Sequence, residues 1–271
     1  MVSLNSRKKV LISIITPCYN AQSYLEKMIN SVILQTYKNW ELIIIDDDSK
    51  DNSIKIINKF ILEDARIKLI KLNKRSRQAY ARNQGIKLSK GRYLTFLDAD
   101  DYWGKNFLKY SLKSIKNHEF IYSNYFRINE KGKLLDEIKT IPKVNFSGIL
   151  KGTPISCLTA FIDIKKLGKK FFPTNVNRED IAYWLLLLND HNQAYGFNFC
   201  EAYYRYRNNS SSSNKIKMAI QTWQDYRNSY NLSYMKSLYY FLHYTVNGSK
   251  KFSRFFLLKI FNYLKKNLLF L

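Results

Sequence analysis

Two mostly apolar segments of this chain end in runs of aspartate, and this pattern limits the folds open to it. Residues 40–45 are followed by Asp46, Asp47 and Asp48, and residues 93–97 by Asp98, Asp100 and Asp101. Short runs rich in β-branched and aromatic residues predict buried strands. Crowded carboxylates repel one another unless something compensates, so the second run predicts a site for Mg²⁺ or Mn²⁺. An Asp-rich turn that caps a helix is the alternative.

Strand-like and helix-like segments alternate from residue 10 to about residue 126. The predicted strands are residues 10–16, 40–46, 67–72, 92–98 and 119–125, and the predicted helices are 21–35, 52–64, 78–88 and 105–116. This order is typical of an α/β fold with a mostly parallel central sheet flanked by helices. Ligands bind at the carboxyl ends of strands in such sheets, so Pro17, Asp46 and Asp98 are expected to line one crevice.

The rest of the chain divides into three stretches. Residues 129–174 carry scattered glycine and proline, which predicts irregular structure. Residues 181–188 have helical periodicity directly after the acidic pair at 179–180. Residues 214–271 predict a basic, aromatic-rich helical extension in which Asp225 is the only acidic residue. Within it, residues 252–271 would form a basic amphipathic helix suited to an anionic membrane surface, or a helix packed on the preceding domain.

The net charge, the spacing of the cysteines and the placement of the glycines limit the classes of function further. The net charge of +24 favours an anionic partner, although a genome-wide bias toward lysine is an alternative. The three cysteines are widely spaced and indicate neither a disulfide framework nor a zinc site, which fits the cytoplasm. The turn after the first strand lacks glycine, which argues against a nicotinamide or flavin cofactor. No apolar run approaches the ~18 residues that span a bilayer, so membrane contact is expected to be peripheral, on the inner face of the cytoplasmic membrane.

Five motifs together resemble glycosyltransferase family 2. They are SIITPCYN, QTYKNWELIIIDDDS, ARNQGI, GRYLTFLDADDYW and RED-x-x-x-W, in the family's order over residues 10–213. The resemblance implies a GT-A catalytic domain over residues 1–213, with a nucleotide-binding half at about 10–126 and an acceptor-side half at about 127–213. It implies an inverting enzyme that moves a sugar from a nucleotide sugar, expected to be UDP-linked, to a hydroxyl of a bacterial envelope glycan or lipid-linked glycan.

The resemblance also implies roles for the acidic residues. Asp98 and Asp100 match the DxD motif, in which Asp100 binds Mn²⁺ or Mg²⁺ and Asp98 assists the metal or contacts the ribose. Asp180 matches the catalytic base. Asp101 is expected only to cap the helix that follows. Supporting residues on the acceptor side are expected to be Glu179 and Trp103.

The same resemblance implies a nucleotide site. Pro17, Tyr19 and Asp47 match positions that hold the nucleoside, with Asp47 on the uracil. Tyr19 could stack on the base or be an ordinary buried aromatic. Arg82 matches an arginine near the base and diphosphate, or is a helix-surface residue. A loop that runs into the serines at 210–213 would close over the pyrophosphate through Arg205 and Arg207, or would be a solvated linker.

Two other functions stay open on the sequence alone. A phosphatase of the haloacid dehalogenase type also has an aspartate pair after a strand, but that family expects Thr or Val where this chain has Tyr102. A basic module that binds nucleic acid or membrane would explain the charge but not the acidic strand ends, so nucleic acid is not expected as a partner. Asp48 stands where the family commonly has glycine, which predicts a left-handed backbone there.

Overall fold

The structure, a computed structural model, describes residues 9–152, 154–188, 192–207 and 215–247. Its strands are Ile12–Cys18 (β1), Trp40–Asp46 (β2), Ile67–Lys71 (β3), Tyr93–Phe96 (β4), Tyr102–Trp103 (β5), Phe120–Ile128 (β6), Leu134–Ile138 (β7), Lys143–Asn145 (β8), Phe161–Asp163 (β9) and Gln193–Arg205 (β10). Its helices are Gln22–Ile33 (α1), Ser53–Glu63 (α2), Arg77–Leu88 (α3), Phe107–Ser114 (α4), Phe146–Leu150 (α5), Ile164–Leu167 (α6), Glu179–Leu187 (α7), Lys215–Gln224 (α8) and 234–247 (α9).

All strands within these ranges belong to one mixed sheet. The order is β3-β2-β1-β4-β9-β6-β10-β5, with β7 beside β6 and β8 beside β10. Strands β3, β2, β1 and β4 are parallel neighbours, whereas β9 lies antiparallel between β4 and β6. The predicted α/β fold and its alternating first half are therefore confirmed, with most element ends within two residues of the predicted ones.

Helices cover both faces of the sheet because its central strands are apolar throughout. Every residue of β1 and β2 is buried, as expected of parallel strands covered on both sides. One face packs on α1, α2 and α4, and the other on α3, α5 and α7. Gly85 allows α3 to approach closely, because a Cβ there would lie 2.6 Å from Ile15 Cγ2. This approach brings the preceding turn of α3, which carries Arg82, against the sheet.

The prediction of irregular structure over residues 129–174 is wrong for part of that stretch. Strand β9 sits inside the sheet, where Phe161 pairs with Thr95 of β4 and with Ile121 of β6. Strands β7 and β8 and helices α5 and α6 also fall in this stretch. The sequence hides β9 because three residues are too few to show a period, and turn residues surround them.

The C-terminal helices pack on the body of the molecule. Helix α8 continues into a π-helical turn, Asp225–Ser229, and α9 follows after a short link. Tyr226 and Tyr240 join the core formed with α5 and α7. The Tyr226 hydroxyl donates to the carbonyl of Leu150, and Asn247 Nδ2 donates to the carbonyl of Lys151 at 2.9 Å. Helix is therefore present in the predicted extension, and the proposed amphipathic helix at 252–271 lies outside the described residues.

Within the described ranges, no helix combines the length and the apolar character needed to cross a bilayer. Cys18, Cys157 and Cys200 are all free thiols.

Candidate functional site

The acidic strand ends lie next to one another at one edge of the sheet. Cys18 at the end of β1 pairs with Asp46 at the end of β2, and Ile15 of β1 pairs with Phe96, the last residue of β4. The Asp47 N–H donates to the carbonyl of Cys18 at 2.8 Å. The structure thus brings together the segments after β1, β2 and β4, as expected from their parallel order.

Arg82 is the buried cation of this edge. Its side chain is 3% exposed, and its Nη2 lies 2.8 Å from Asp98 Oδ1, while its Nη1 lies 3.6 Å from Glu179 Oε1. Burial would lower the pKa of Arg82, but Asp98, Cys157 and Glu179 raise it above its ordinary value. Arg82 therefore joins the DxD segment to the acidic pair that begins α7, and it is not a helix-surface residue.

The turn that carries the three aspartates is closed by its own backbone and by two arginines. The Asp101 N–H donates to the carbonyl of Asp98 at 3.1 Å. Asp100 Oδ2 lies 2.8 Å from Arg207 Nη2. Burial raises the pKa of Asp100, the charge of Asp98 raises it further, and Arg207 opposes the rise. Asp98 and Asp100 are thus close enough to repel each other, which is the condition that a bound cation relieves.

Asp101 does not cap a helix, so that expectation is wrong. Its Oδ1 accepts the Arg205 N–H at 2.7 Å, and α4 begins only at Phe107. Asp101 is 3% exposed, and burial with the charges of Asp100 and Asp98 raises its pKa well above the usual range. Asp101 therefore fastens the end of β10 to the aspartate turn.

Arg205 and Arg207, two residues apart, occupy different environments. Arg205 is 5% exposed, and its guanidinium donates to the carbonyls of Asp100, Asn129 and Glu130 at 2.8 to 3.2 Å. These contacts favour a structural role for Arg205 beneath the aspartate turn. Arg207 is 44% exposed at its side chain and forms an ion pair with Asp100. A phosphate contact stays a prediction for both arginines, and Arg207 is the better suited of the two. The serines that follow lie outside the described residues.

The residues predicted for the nucleoside lie around the ends of β1 and β2. Pro17 is buried in β1, and Tyr19 is 38% exposed with the Arg75 guanidinium 4.1 Å from its ring centroid. Asp47 is 4% exposed and accepts the N–H groups of Ser76 and Arg77 at 2.6 and 2.9 Å. Asp47 thus fixes the start of α3, and a uracil contact would have to share its carboxylate. Asp48 has the expected left-handed backbone, with φ of 66°.

Asp180 lies in the first turn of α7, beside Glu179 and across from the aspartate turn. Its Oδ1 is 3.8 Å from Arg178 Nε, and its side chain is 31% exposed. Burial raises the pKa of Glu179, and Arg82 opposes that rise. Burial raises the pKa of the Cys157 thiol, Arg82 lowers it, and the charges of Asp98, Asp180 and Glu179 raise it, so the thiol lies near these groups. Asp180 is a partly exposed carboxylate next to Glu179, and its role as the base stays a prediction.

Trp103 supports the site from below. It is 3% exposed, stacks on Phe107 with ring centroids 4.2 Å apart, and donates from Nε1 to the carbonyl of Leu158 at 2.9 Å. It packs the aspartate turn against the core and is too buried to meet a sugar in this structure.

The donor set fits a hard divalent cation. Asp98 and Asp100 present carboxylate oxygens and are 25% and 21% exposed at their side chains. The described residues contain no group of three or more His, Cys, Asp or Glu side chains arranged for a metal ion. Mg²⁺ usually takes one or two carboxylates together with phosphate oxygens of the substrate, so a pair of aspartates is what this chemistry requires.

Sequence reasoning missed Asp225 and Arg178. Asp225 accepts hydrogen bonds from the residues directly before Glu179, although it lies almost fifty positions away in sequence. Its isolation as the only acid after residue 213 was the available signal. Arg178 was visible only as the first letter of the RED motif.

Comparisons with known proteins agree with this geometry. The model of the family described as glycosyl transferase family 2 matches residues 13–170. TuaG of Bacillus subtilis, named for teichuronic acid biosynthesis, is 39% identical over 90% of this chain and 98% of its own length. WfgD of Escherichia coli, named as a UDP-Glc:alpha-D-GlcNAc-diphosphoundecaprenol beta-1,3-glucosyltransferase, is 37% identical over 89% of this chain and 94% of its own.

Solved structures share the fold at lower identity. S. aureus TarS 1-349 in complex with UDP-GlcNAc matches 80% of this chain with a TM-score of 0.63 and 21% identity. The mannosyltransferase PcManGT of Pyrobaculum calidifontis, in complex with GDP-Man and Mn²⁺, matches 84% with a TM-score of 0.64 and 15% identity. This chain spans 66% of the matched chain in both structures. The likeness at these identities concerns the fold, and it confirms the GT-A architecture.

Proposed function

Since this chain belongs to glycosyl transferase family 2, we propose that it is a metal-dependent inverting enzyme that transfers a sugar from a UDP-linked donor to a hydroxyl of a bacterial cell-envelope glycan. Its membership makes it a glycosyltransferase, which decides against the phosphatase and the non-catalytic basic module. The observation that best supports the mechanism is the cluster of Asp98, Asp100, Arg82, Glu179 and Asp180 at one sheet edge.

The donor end of the site is assigned to the aspartate turn and the ends of β1 and β2. Asp98 and Asp100 would hold Mn²⁺ or Mg²⁺, which when bound supplies positive charge to the departing diphosphate. Tyr19 and Asp47 would hold the nucleoside, with Pro17 shaping the floor beside them. Arg207 would turn from Asp100 to the diphosphate, since its side chain is the more exposed of the two arginines there.

The chemical step is assigned to Asp180. It would take the proton from the acceptor hydroxyl as that oxygen attacks the anomeric carbon on the side opposite the diphosphate. One displacement forms the new glycosidic bond and breaks the bond to the diphosphate, so the configuration inverts. Arg178, with Nε 3.8 Å from Asp180, would hold the carboxylate oriented for this role.

The acceptor is proposed to be a lipid-linked glycan. WfgD is named for a sugar on diphosphoundecaprenol, and its alignment covers most of both chains. A lipid-linked acceptor sits at a membrane, so we propose a peripheral location on the inner face of the cytoplasmic membrane.

The surface of α9 supports that location. Met235, Tyr239, Leu242 and Val246 follow helical spacing and are 72%, 49%, 56% and 48% exposed. Lys236 lies beside this stripe, and the chain carries a net charge of +24. An exposed apolar stripe with basic neighbours suits a bilayer that contains anionic lipids. The proposed domain division, residues 1–213 and a helical extension, then gives the extension a membrane-facing side.

A binding screen followed by a transfer assay tests the donor and the roles. UDP-glucose, UDP-N-acetylglucosamine and GDP-mannose are compared by thermal shift with and without Mn²⁺, and a UDP sugar is expected to raise Tm only with Mn²⁺. Transfer is measured to a short GlcNAc-α-diphospho-lipid. Asp180→Asn is expected to keep the thermal shift and lose transfer by about 10²–10⁴-fold, the range for a lost general base. Asp100→Asn is expected to lose the Mn²⁺-dependent shift.

Asp64→Asn is the matched control. Asp64 is an acid at the opposite edge of the sheet, where it pairs with Arg66 at 2.6 Å. This variant is expected to retain both binding and transfer. Near-normal transfer by Asp180→Asn would remove the base assignment, and equal binding of UDP sugars with and without Mn²⁺ would remove the metal.

A further inference from the structure

Asp225 binds the backbone that leads into α7. It lies in the π-helical turn after α8 and is 1% exposed. Its Oδ1 accepts from the Asn177 N–H at 3.1 Å and from Asn177 Nδ2 at 2.9 Å, and its Oδ2 accepts from the Arg178 N–H at 2.9 Å. These donors belong to the two residues directly before Glu179 and Asp180.

The start of α7 depends on this contact because it has no local side-chain cap. Arg178 occupies the N-cap position and makes no capping hydrogen bond with its side chain. Helices commonly begin with Ser, Thr, Asp or Asn, whose side chains bind the first free N–H groups. Here a carboxylate from another part of the chain instead fixes the two residues outside the helix, and with them the direction in which α7 begins.

The same C-terminal region surrounds the side chains next to Asp180. The Tyr244 side chain of α9 lies close to Arg178, whose Nε is 3.8 Å from Asp180 Oδ1. The Tyr230 hydroxyl interacts electrostatically with Asp225, Asp180 and Arg178, and within the described ranges it has no hydrogen-bond partner. Asp225, Tyr230 and Tyr244 therefore lie beside the start of α7.

We propose that Asp225 is a positioning residue for transfer: through the N–H groups of Asn177 and Arg178 it holds Asp180 at the place where it can take the acceptor proton. The assignment rests on the proposed function, because it takes Asp180 to be the base. Displacement of a reacting group by about 1 Å can cost on the order of 100-fold in rate.

Asn cannot replace Asp225 without a conflict. The Asp225 carboxylate accepts hydrogen bonds from Asn177, Arg178 and Ser229, so each of these contacts is with a donor. An amide would turn its NH₂ group toward the N–H of Arg178 or toward the donors of Asn177, so one contact becomes repulsive. Asp225→Asn is therefore expected to shift residues 177–180 while most of the packing around Tyr226 persists.

The test compares kcat with nucleotide binding. Transfer from UDP-glucose to the GlcNAc-α-diphospho-lipid is measured with Mn²⁺, and the Kd for UDP is measured by calorimetry. Asp225→Asn is expected to lower kcat by about 10–100-fold and to change the Kd for UDP by less than about twofold. When Asp225→Asn is added to Asp180→Asn, no further loss of kcat is expected, because the base whose position Asp225 controls is already absent.

Asp163→Asn controls for the loss of a buried carboxylate. Asp163 is also 1% exposed, pairs with Arg92 at 2.7 Å, and lies beside Tyr93 at the opposite end of β4. It is expected to lower Tm and leave kcat of the folded protein unchanged. If Asp225→Asn is too unstable to purify, Asn177→Ala, which removes the Nδ2 contact alone, is expected to lower kcat by a smaller factor with the Kd for UDP unchanged.

The outcomes separate this inference from the proposed function. Normal kcat for both Asp225→Asn and Asn177→Ala beside an inactive Asp180→Asn overturns the positioning role and leaves the base in place. An equal factor of loss in the wild-type and Asp180→Asn backgrounds also overturns it. Near-normal transfer by Asp180→Asn removes the base itself.

Discussion

Arg82→Met removes a buried cation that joins the aspartate turn to the start of α7. Methionine keeps most of the aliphatic volume, so the change isolates the charge. Asp98 and Glu179 then lose a partner at 2.8 Å and a neighbour at 3.6 Å, respectively. Both carboxylates stay partly buried, with side chains 25% and 27% exposed.

The expected penalty follows from that burial. Loss of one partner from a fully buried ion pair costs about 3–5 kcal/mol. The carboxylates here retain about a quarter of their exposure, so water partly solvates them once the arginine is gone. The free energy of unfolding is therefore expected to fall by about 2–3 kcal/mol. For a chain of this size that corresponds to a fall in Tm of roughly 5–10 °C. Arg127→Met, at the exposed pair with Asp136, is expected to cost no more than about 1 kcal/mol.

The loss of stability in Arg82→Met should also be larger at high pH than at low pH. Burial holds the pKa of Glu179 above its ordinary value, and Arg82 opposes that rise, so Arg82→Met raises it further. An acid whose pKa is raised on folding destabilises the protein above that pKa, and the effect disappears as pH falls below the unfolded value. The difference in Tm between wild type and Arg82→Met is therefore expected to be larger at pH 8 than at pH 5.

Differential scanning fluorimetry at the two pH values, with Arg127→Met alongside, measures both effects. A penalty no larger than that of Arg127→Met would contradict the buried role of Arg82. A penalty that grows on acidification would contradict the account of Glu179.

Two further changes test stability and membrane contact. Glu41 is buried at the other end of β2. Burial raises its pKa, but the hydrogen bonds from Lys68, Ser13 and the Lys90 N–H outweigh burial, so the pKa is lowered. Glu41→Gln is expected to lower the free energy of unfolding by about 2–3 kcal/mol at pH 7 and by less below about pH 4, without a change in kcat. Urea denaturation across pH checks this, and a penalty that does not change with pH would refute it. Leu242→Asp in the α9 stripe is expected to weaken cosedimentation with vesicles containing phosphatidylglycerol several-fold. Leu62→Asp, on the exposed side of α2, is not expected to weaken it. Equal binding by both variants would exclude the stripe as a membrane-binding surface.

Local patterns in the sequence were sufficient for the first half of the fold. Strand β2 was predicted with its observed ends because its apolar run is long and stops at aspartate. The parallel order then placed Asp46 and Asp98 at one edge without knowledge of any contact. Asp48 illustrates the same point, since its left-handed backbone was expected from its place in a turn where glycine is common.

Features set by distant contacts were not predictable in this way. Arg205 carries the charge expected of a phosphate ligand, but its partners are main-chain carbonyls, which have no sequence signature. Asp101 was expected to act locally and instead binds a residue 104 positions away. Asp225 contacts a loop 47 positions before it, and no periodicity encodes that pairing. In each case the missing information was tertiary.

The contact between Asp225 and residues 177–178 limits how chimaeric enzymes can be built from related chains. A chimaera cut at residue 213 would leave the loop before α7 in one parent and its carboxylate in the other. Such a hybrid is expected to inherit the donor pocket intact and to transfer poorly, whatever acceptor it was designed for. Residues 177–180 and 225–244 should therefore be exchanged together, as one inherited unit.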